Sequence, residues 1–302
     1  MYASSNVGVR VRGEREGRLS QVVQLFSHRR TGSHSVRRLD ALVRAFEARG
    51  ATVLHCRDGE GIPEIAAEAT HVCVAGGDGA VRHVAGAVAR AGHPVALSIY
   101  PAGTINLLAR EAGYPTDPEA FAELVLSSEA RRRHYPVTIG DGYFFACAGV
   151  GPDSFAVEQV SARLKRRIGR LAYVVAFGRL LWRWPRHAIA LEAEGRKVAC
   201  EAFYVAKGRY YAGRWSFARA ARVHEPMLHV VALPTARRRD YARFVFGLLC
   251  GWQAERQQGV AVFACRSLTA TSDRPLPIQA DGDVVGTLPA TMAVSQVPLI
   301  FC

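Results

Sequence analysis

Between Gln21 and Gly113 the chain alternates short apolar runs with amphipathic stretches of helical period, and this alternation is the strongest constraint on its fold. The runs are QVVQLFS, ATVLHC, HVCVA and PVALSIY, and they are followed by SVRRLDALVRAFEARG, IPEIAAEA, AVRHVAGAVARAG and TINLLAREAG. Strands separated by single helices pair in parallel through right-handed crossovers, because each helix must pack back on the sheet it left. An α/β domain with a parallel sheet is expected over residues 20–133.

After the basic segment ARRRHYP the period changes. Runs such as VTIGDGYFFACAGVG, HAIALEAEGRKVACEAFYVAKG, MLHVVALP, VAVFACRSLTATS and ATMAVSQVPLIF alternate every second residue and are split by glycine and proline turns. That pattern predicts an antiparallel, β-rich second domain, sandwich or barrel-like, over 134–289, with helical segments near 153–182 and 238–252. A length of 302 residues suits two such cores. Residues 1–19 are polar and charged, lack the apolar core of a signal peptide, and read as a flexible arm.

The loop GGDG, Gly76, Gly77, Asp78 and Gly79, joins the apolar run at 72–75 to a helix whose apolar positions are 81, 84, 85 and 88. A helix start offers unpaired amides and a positive dipole end to an anion, and glycines let a phosphate approach the backbone. A carboxylate at Asp78 would repel that phosphate unless a cation sat between them, unless it served a hydroxyl, or unless it capped a helix. Magnesium bound with a nucleotide reconciles the two. The next junction, YPAGTINLLAREAG, repeats the device with Gly103 and Thr104, where Thr104 can offer a hydroxyl and Asn106 can bridge the loops or cap the helix.

Formal charge is 39 minus 26, or +13, and only Lys165, Lys197 and Lys207 are lysines. Arginine forks onto phosphates, so the balance suits phosphorylated substrates or an anionic membrane surface, although arginine-rich coding alone would also produce it. No basic element with interleaved aromatics forms a nucleic-acid module, so no specific nucleic-acid partner is expected. The apolar runs LAYVVAFG and FVFGLLCGW are too short to cross a bilayer. The seven cysteines form no C-x-x-C pair, which signals neither zinc nor a disulfide framework and fits a reducing cytosol.

These motifs together resemble the diacylglycerol kinase catalytic family, the group that includes sphingosine kinases and bacterial soluble lipid kinases. GGDGA resembles its G-G-D-G-T block and PAGTINLLAR its P-x-G-T-x-N-x-x-A-R block. FFACAGVGPDSFAV, RRIGRLAYVVAFGRLL, VAKGRYYAGRW and QADGDVVGTLP are similar to later blocks, in order, over about residues 20–302. NAD kinases and phosphofructokinases share the glycine loop, and the ordered later blocks favour the lipid kinase branch.

The resemblance implies an N-terminal nucleotide domain of NAD kinase/phosphofructokinase type, a C-terminal β-sandwich that takes the lipid, and a last strand, about 290–302, returning to the first domain. It implies ATP and Mg2+ as cofactors. Gly76, Gly77, Asp78, Gly79, Ala80, Val81, Arg82, Gly103, Thr104 and Asn106 match ATP-binding positions. Asp78 matches the acidic residue tied to magnesium and catalysis. Asp283 stands where the family has the D-G-E glutamate, its proton acceptor, and Asp281 is a structural or metal-linked partner. Glu225 in HEPML takes the place of the D-G-x-L turn associated with a structural magnesium.

The implied activity is ATP-dependent phosphorylation of a hydroxyl on a lipid such as diacylglycerol, by a cytoplasmic protein that touches the inner membrane face peripherally. The alternatives are a catalytically weakened or inactive nucleotide- or lipid-binding relative, and a NAD or sugar kinase. A homodimer is compatible with all three. The departures are specific: Asp for Glu at 283, Ala80 for threonine, Lys207 where asparagine is usual, and LFSHRRTGS in place of the N-P-x-x-G block, where Arg29, Arg30, Thr31 and Gly32 could still face phosphate.

Overall fold

A computed structural model describes residues 21–27, 33–57, 63–92, 94–103, 105–127, 131–159, 184, 186–211 and 215–302. The 1–19 arm, Thr104, Arg29 to Gly32 and the segment 160–183 lie outside the described residues.

The first domain runs β1 (Val22–Ser27), α1 (Ser33–Ala48), β2 (Thr52–Arg57), β3 (His71–Gly76), α2 (Asp78–Ala91) and β4 (Ala96–Pro101). Two further helices, α3 (Leu107–Ala112) and α4 (Pro118–Leu126), lead to the short β5 (Arg132–His134). The alternation thus becomes a six-stranded sheet in which β2, β1, β3 and β4 are parallel neighbours.

The expected helix in IPEIAAEA does not form at 63–70, which is loop and turn. The buried Gln24 amide takes the backbone groups a helix would have used: its Nε2 donates to Glu64 O at 2.9 Å and its Oε1 accepts from Ala66 N at 2.9 Å. A helix that was not expected, α4, is capped by Asp117, whose Oδ2 accepts from Ala120 N at 2.9 Å, with proline in its first turn. It buries Phe121 edge-on against Phe46 of α1 and Tyr100 of β4, at centroid distances of 6.2 and 5.2 Å.

The second domain opens with β6 (Val137–Ile139), β7 (Gly142–Phe144), β8 (Cys147–Val150) and α5 (Pro152–Gln159). It continues through β9 (Ile189–Ala193), β10 (Arg196–Cys200), β11 (Ala202–Ala206), β12 (Leu228–Leu233) and α6 (Arg238–Leu249). Five more sandwich strands follow, β13 (Ala261–Cys265), β14 (Ser267–Ser272), β15 (Pro277–Ala280), β16 (Asp283–Thr287) and β17 (Ala290–Val294), and β18 (Leu299–Phe301) comes after them.

These strands make two antiparallel six-stranded sheets, ordered β10-β9-β14-β17-β6-β7 and β13-β12-β11-β8-β15-β16. Alternate apolar residues such as Leu191, Phe203, Val230, Leu268 and Met292 fill the space between them. The domain is therefore a sandwich.

The returning strand is shorter than the sequence suggested. Ala290–Val294 pairs with β6 and β14 inside the sandwich, and only Leu299–Phe301 crosses back, parallel to β4 and antiparallel to β5. A second core runs from the first sheet through Phe145, Ala146 and Tyr204 to Phe244 of α6, so both domains share buried apolar packing. Among the described residues no helix is long and apolar enough to cross a membrane.

Candidate active site

Strands β1, β3 and β4 end together, with Ser27 beside Ala75 and Gly76 beside Pro101. The connection leaving β1 runs to β2 on one side and that leaving β3 runs to β4 on the other, so the sheet edge at this point is a topological switch, the usual ligand crevice of open α/β sheets. Both glycine loops lie here.

Gly77 is the extended N-cap of α2, at φ −95° and ψ 179°, and the first-turn amides of the helix have no partner within it. The two loops touch: a methyl group on Gly103 would stand 2.9 Å from the Gly77 nitrogen. Asn106 at φ 54° holds the second loop, its Oδ1 accepting from Gly103 N and its Nδ2 donating to Gly103 O, each at 2.8 Å. Asn106 thus fixes the loop without capping α3 through its own side chain. Val81 turns into the core, 1% exposed, and can offer the site only backbone.

Asp78 caps the neighbouring helix. Its Oδ1 accepts from Leu108 N of α3 at 3.2 Å, which ties the two junctions together. Burial pushes its carboxyl pKa upward, and the amides around Leu108 and Leu107 oppose that shift.

From the other domain, the β15–β16 hairpin brings Asp281 and Asp283. Its two turn residues, Asp281 at φ 49° and Gly282 at φ 88°, both have the positive φ that a two-residue hairpin turn of type I′ requires. The Asp281 carboxylate is buried and accepts three main-chain amides: Phe145 on Oδ2 at 2.8 Å, and Ala146 and Cys147 on Oδ1 at 2.9 and 3.1 Å. Burial raises its pKa to about 6 against the pull of these amides.

With the turn so anchored, Asp283 comes to rest over the glycine loop. A Cβ on Gly79 would lie 2.9 Å from Asp283 Oδ2, and Arg82 Nη2 donates to that oxygen at 3.3 Å. Arg82 Nε is buried without a hydrogen-bond partner. Beside Arg82 opens a cavity of about 820 Å³ lined by Thr138, Tyr143, Ile278, Val284, Thr287 and others.

The expected metal ligands do not form one centre. Among the described residues no three His, Cys, Asp or Glu side chains gather closely enough to hold an ion. Both oxygens of Asp281 are taken by amides. At Glu225 it is the main-chain oxygen that has a cationic partner, Lys207 Nζ at 2.6 Å, so the turn at 222–225 does not fit a structural magnesium. A magnesium carried in with a nucleotide needs only one or two carboxylates besides phosphate, and of the expected ligands only Asp78, at the start of α2 beside the glycine loop, lies where such an ion would come.

Sequence reasoning overlooked Asp153 in the first turn of α5. The residue is half-buried, Tyr211 Oη donates to its Oδ2 at 2.8 Å, and its buried Oδ1 has no hydrogen-bond partner. An aspartate inside the otherwise apolar AGVGPDSFAV was the available clue.

Two family descriptions match the chain: "Diacylglycerol kinase catalytic domain" over residues 23–135 and "YegS C-terminal NAD kinase beta sandwich-like domain" over 146–300. A protein of Stenotrophomonas maltophilia named "Probable lipid kinase YegS-like" is 29% identical over 230 residues, 71% of this chain and 72% of its own length. The "Diacylglycerol kinase" of Bacillus subtilis is 26% identical, over 72% of each chain. A crystal structure of a diacylglycerol kinase from Bacillus anthracis superposes with a TM-score of 0.71 at 15% identity, covering 93% of this chain and 96% of the other, a likeness of fold.

Proposed function

Because the chain belongs to the family that joins a diacylglycerol kinase catalytic domain to a YegS-type β-sandwich, we propose that it transfers the γ-phosphoryl group of ATP to a hydroxyl of a lipid of the diacylglycerol type. The observation that carries this reading is the meeting of Asp283, from the sandwich, with Gly79 and Arg82, from the glycine-loop helix. A phosphate-binding element and a candidate base otherwise have no reason to converge from separate domains.

The α2 amides, Gly77 and Gly103 hold the nucleotide phosphates against the backbone. Magnesium bound with the nucleotide would neutralise charge on the transferring group. The acceptor enters the cavity beside Arg82, whose size suits a substrate headgroup and the start of an acyl chain. Asp283 accepts the hydroxyl proton, the oxygen attacks the γ-phosphorus in line, and the bond to the β-phosphate oxygen breaks. Arg82 finds a phosphate oxygen in place of Asp283, which frees the carboxylate.

We also place a peripheral membrane contact on α6. Its outward face carries Arg239 and Arg243, then Phe246 at 58% and Leu249 at 51% exposure, with Trp252 at 53% just beyond. Cations beside exposed aromatics are the composition of an interfacial helix on anionic lipid.

The test is product mass analysis after incubation with ATP, magnesium and a panel of lipids in mixed micelles, with NAD and sugars as soluble acceptors. A phosphorylated lipid is expected, and Asp283→Asn lowers its rate by roughly 10²- to 10⁴-fold. Nucleotide binding without product from any acceptor would identify an inactive relative, and product from a soluble acceptor alone would move the substrate class.

A further inference from the structure

Lys207, just past β11, is fully buried, at 0% exposure. Its Nζ donates to three main-chain oxygens: Arg222 at 2.9 Å, Val223 at 2.9 Å and Glu225 at 2.6 Å. Three converging carbonyls form the kind of oxygen cage that holds a hard cation. An ammonium has three N–H donors and no acceptor, so donors and acceptors here match one to one. A neutral amine would turn its lone pair on one of those oxygens. Burial pushes the Lys207 pKa down to about 7, Glu225 and Glu111 pull it up, and three acceptors within 2.9 Å favour the charged form.

The caged turn is part of the frame of the site. Val223 O also accepts from Tyr135 N at 3.1 Å, where the chain leaves the first domain's sheet. Lys207 N and Gly208 N both donate to Ala146 O, at 2.8 and 3.0 Å. Ala146 N in turn donates to Asp281, the anchor of the Asp283 hairpin. Two residues on, Arg209 N donates to Glu111 Oε2 of α3 at 3.0 Å, so the same strand end reaches the first domain.

We propose that the Lys207 ammonium is a built-in replacement for a structural divalent cation, clamping the 222–225 turn to the strand end that supports the acidic hairpin, so that this chain needs no metal ion for its fold. The readout is stability, which is independent of acceptor chemistry.

The test compares purified full-length protein after chelation and desalting with the same protein in millimolar Mg2+ or Ca2+, by elemental analysis and thermal unfolding. Wild type is expected to carry no stoichiometric divalent ion and to keep one Tm in both conditions. Lys207→Ala removes three hydrogen bonds from the turn, leaves the Glu225 oxygen without its partner and empties a buried side-chain volume; it lowers Tm by roughly 5 °C or more, and divalent cations, but not Na+, restore part of that loss. A stoichiometric divalent ion in wild type, a wild-type Tm that falls on chelation, a Lys207→Ala Tm equal to wild type, or a Tm loss in that variant indifferent to divalent cations would each overturn the proposal. If Lys207→Ala does not fold, the wild-type chelation and elemental measurements still decide it.

Discussion

At the scale of single residues the site depends on carboxylates in unlike settings. Asp281 is buried among three amides, Asp78 is half-buried at a helix start, and Asp283 is half exposed beside Arg82. Asp281 has a folded pKa of about 6 against an ordinary 3.8, so the folded state binds its proton more tightly than the unfolded chain does. The stability this supplies is complete below about pH 4 and is lost as pH rises to about 6, an effect on the order of 3 kcal/mol. Asp78, shifted in the same direction, adds to it. Asp281→Asn also loses amide bonds at every pH, so it is less stable throughout. The gap between wild type and variant, followed by denaturant unfolding from pH 4 to 7, is expected to narrow with rising pH; a widening gap would show that the amides outweigh burial. The sequence pointed to these aspartates through DGD and GGDG but could not show what each one touches. The partners of Asp281 are more than 130 positions away, at Phe145 to Cys147, and Lys207 finds its turn only through folding.

At the scale of elements, local chemistry was a good guide where no distant side chain competed. The βα rhythm became β1 to β4 with α1 and α2, while IPEIAAEA lost its helix to Gln24, a buried amide from another strand. Helix α4 was not expected, although Asp117 and Pro118, a cap followed by proline, stand at its start. Helix α6 was expected near 238–252, but not its exposed aromatic end. Phe246→Ser with Trp252→Ser removes apolar area that packs on nothing large, with Phe246 meeting Trp252 edge-on at 6.3 Å. Co-sedimentation with vesicles rich in anionic lipid is expected to fall several-fold while Tm stays within a few degrees. Equal sedimentation of wild type and variant would place the membrane contact elsewhere.

At the scale of the whole molecule, the two domains are joined by more than a linker. The apolar core that begins under the first sheet continues to α6, Arg82 reaches Asp283, and β18 lies between β4 and β5. Residues 21–135 alone would leave the β4 edge unpaired and remove Leu299, Phe301 and Cys302 from the core. That fragment is expected to lack a cooperative unfolding transition by circular dichroism and to bind ANS, and a sharp transition would show that the first domain is self-sufficient. The position of β18 also sets an order of events during synthesis. The strand that completes the first domain's sheet emerges from the ribosome only after the entire sandwich, so that domain must wait, with an open edge, for a piece translated some 200 residues later. A chain released before Leu299 would carry every strand of the sandwich, with its acidic hairpin, but would face it with a first sheet whose β4 edge is still open.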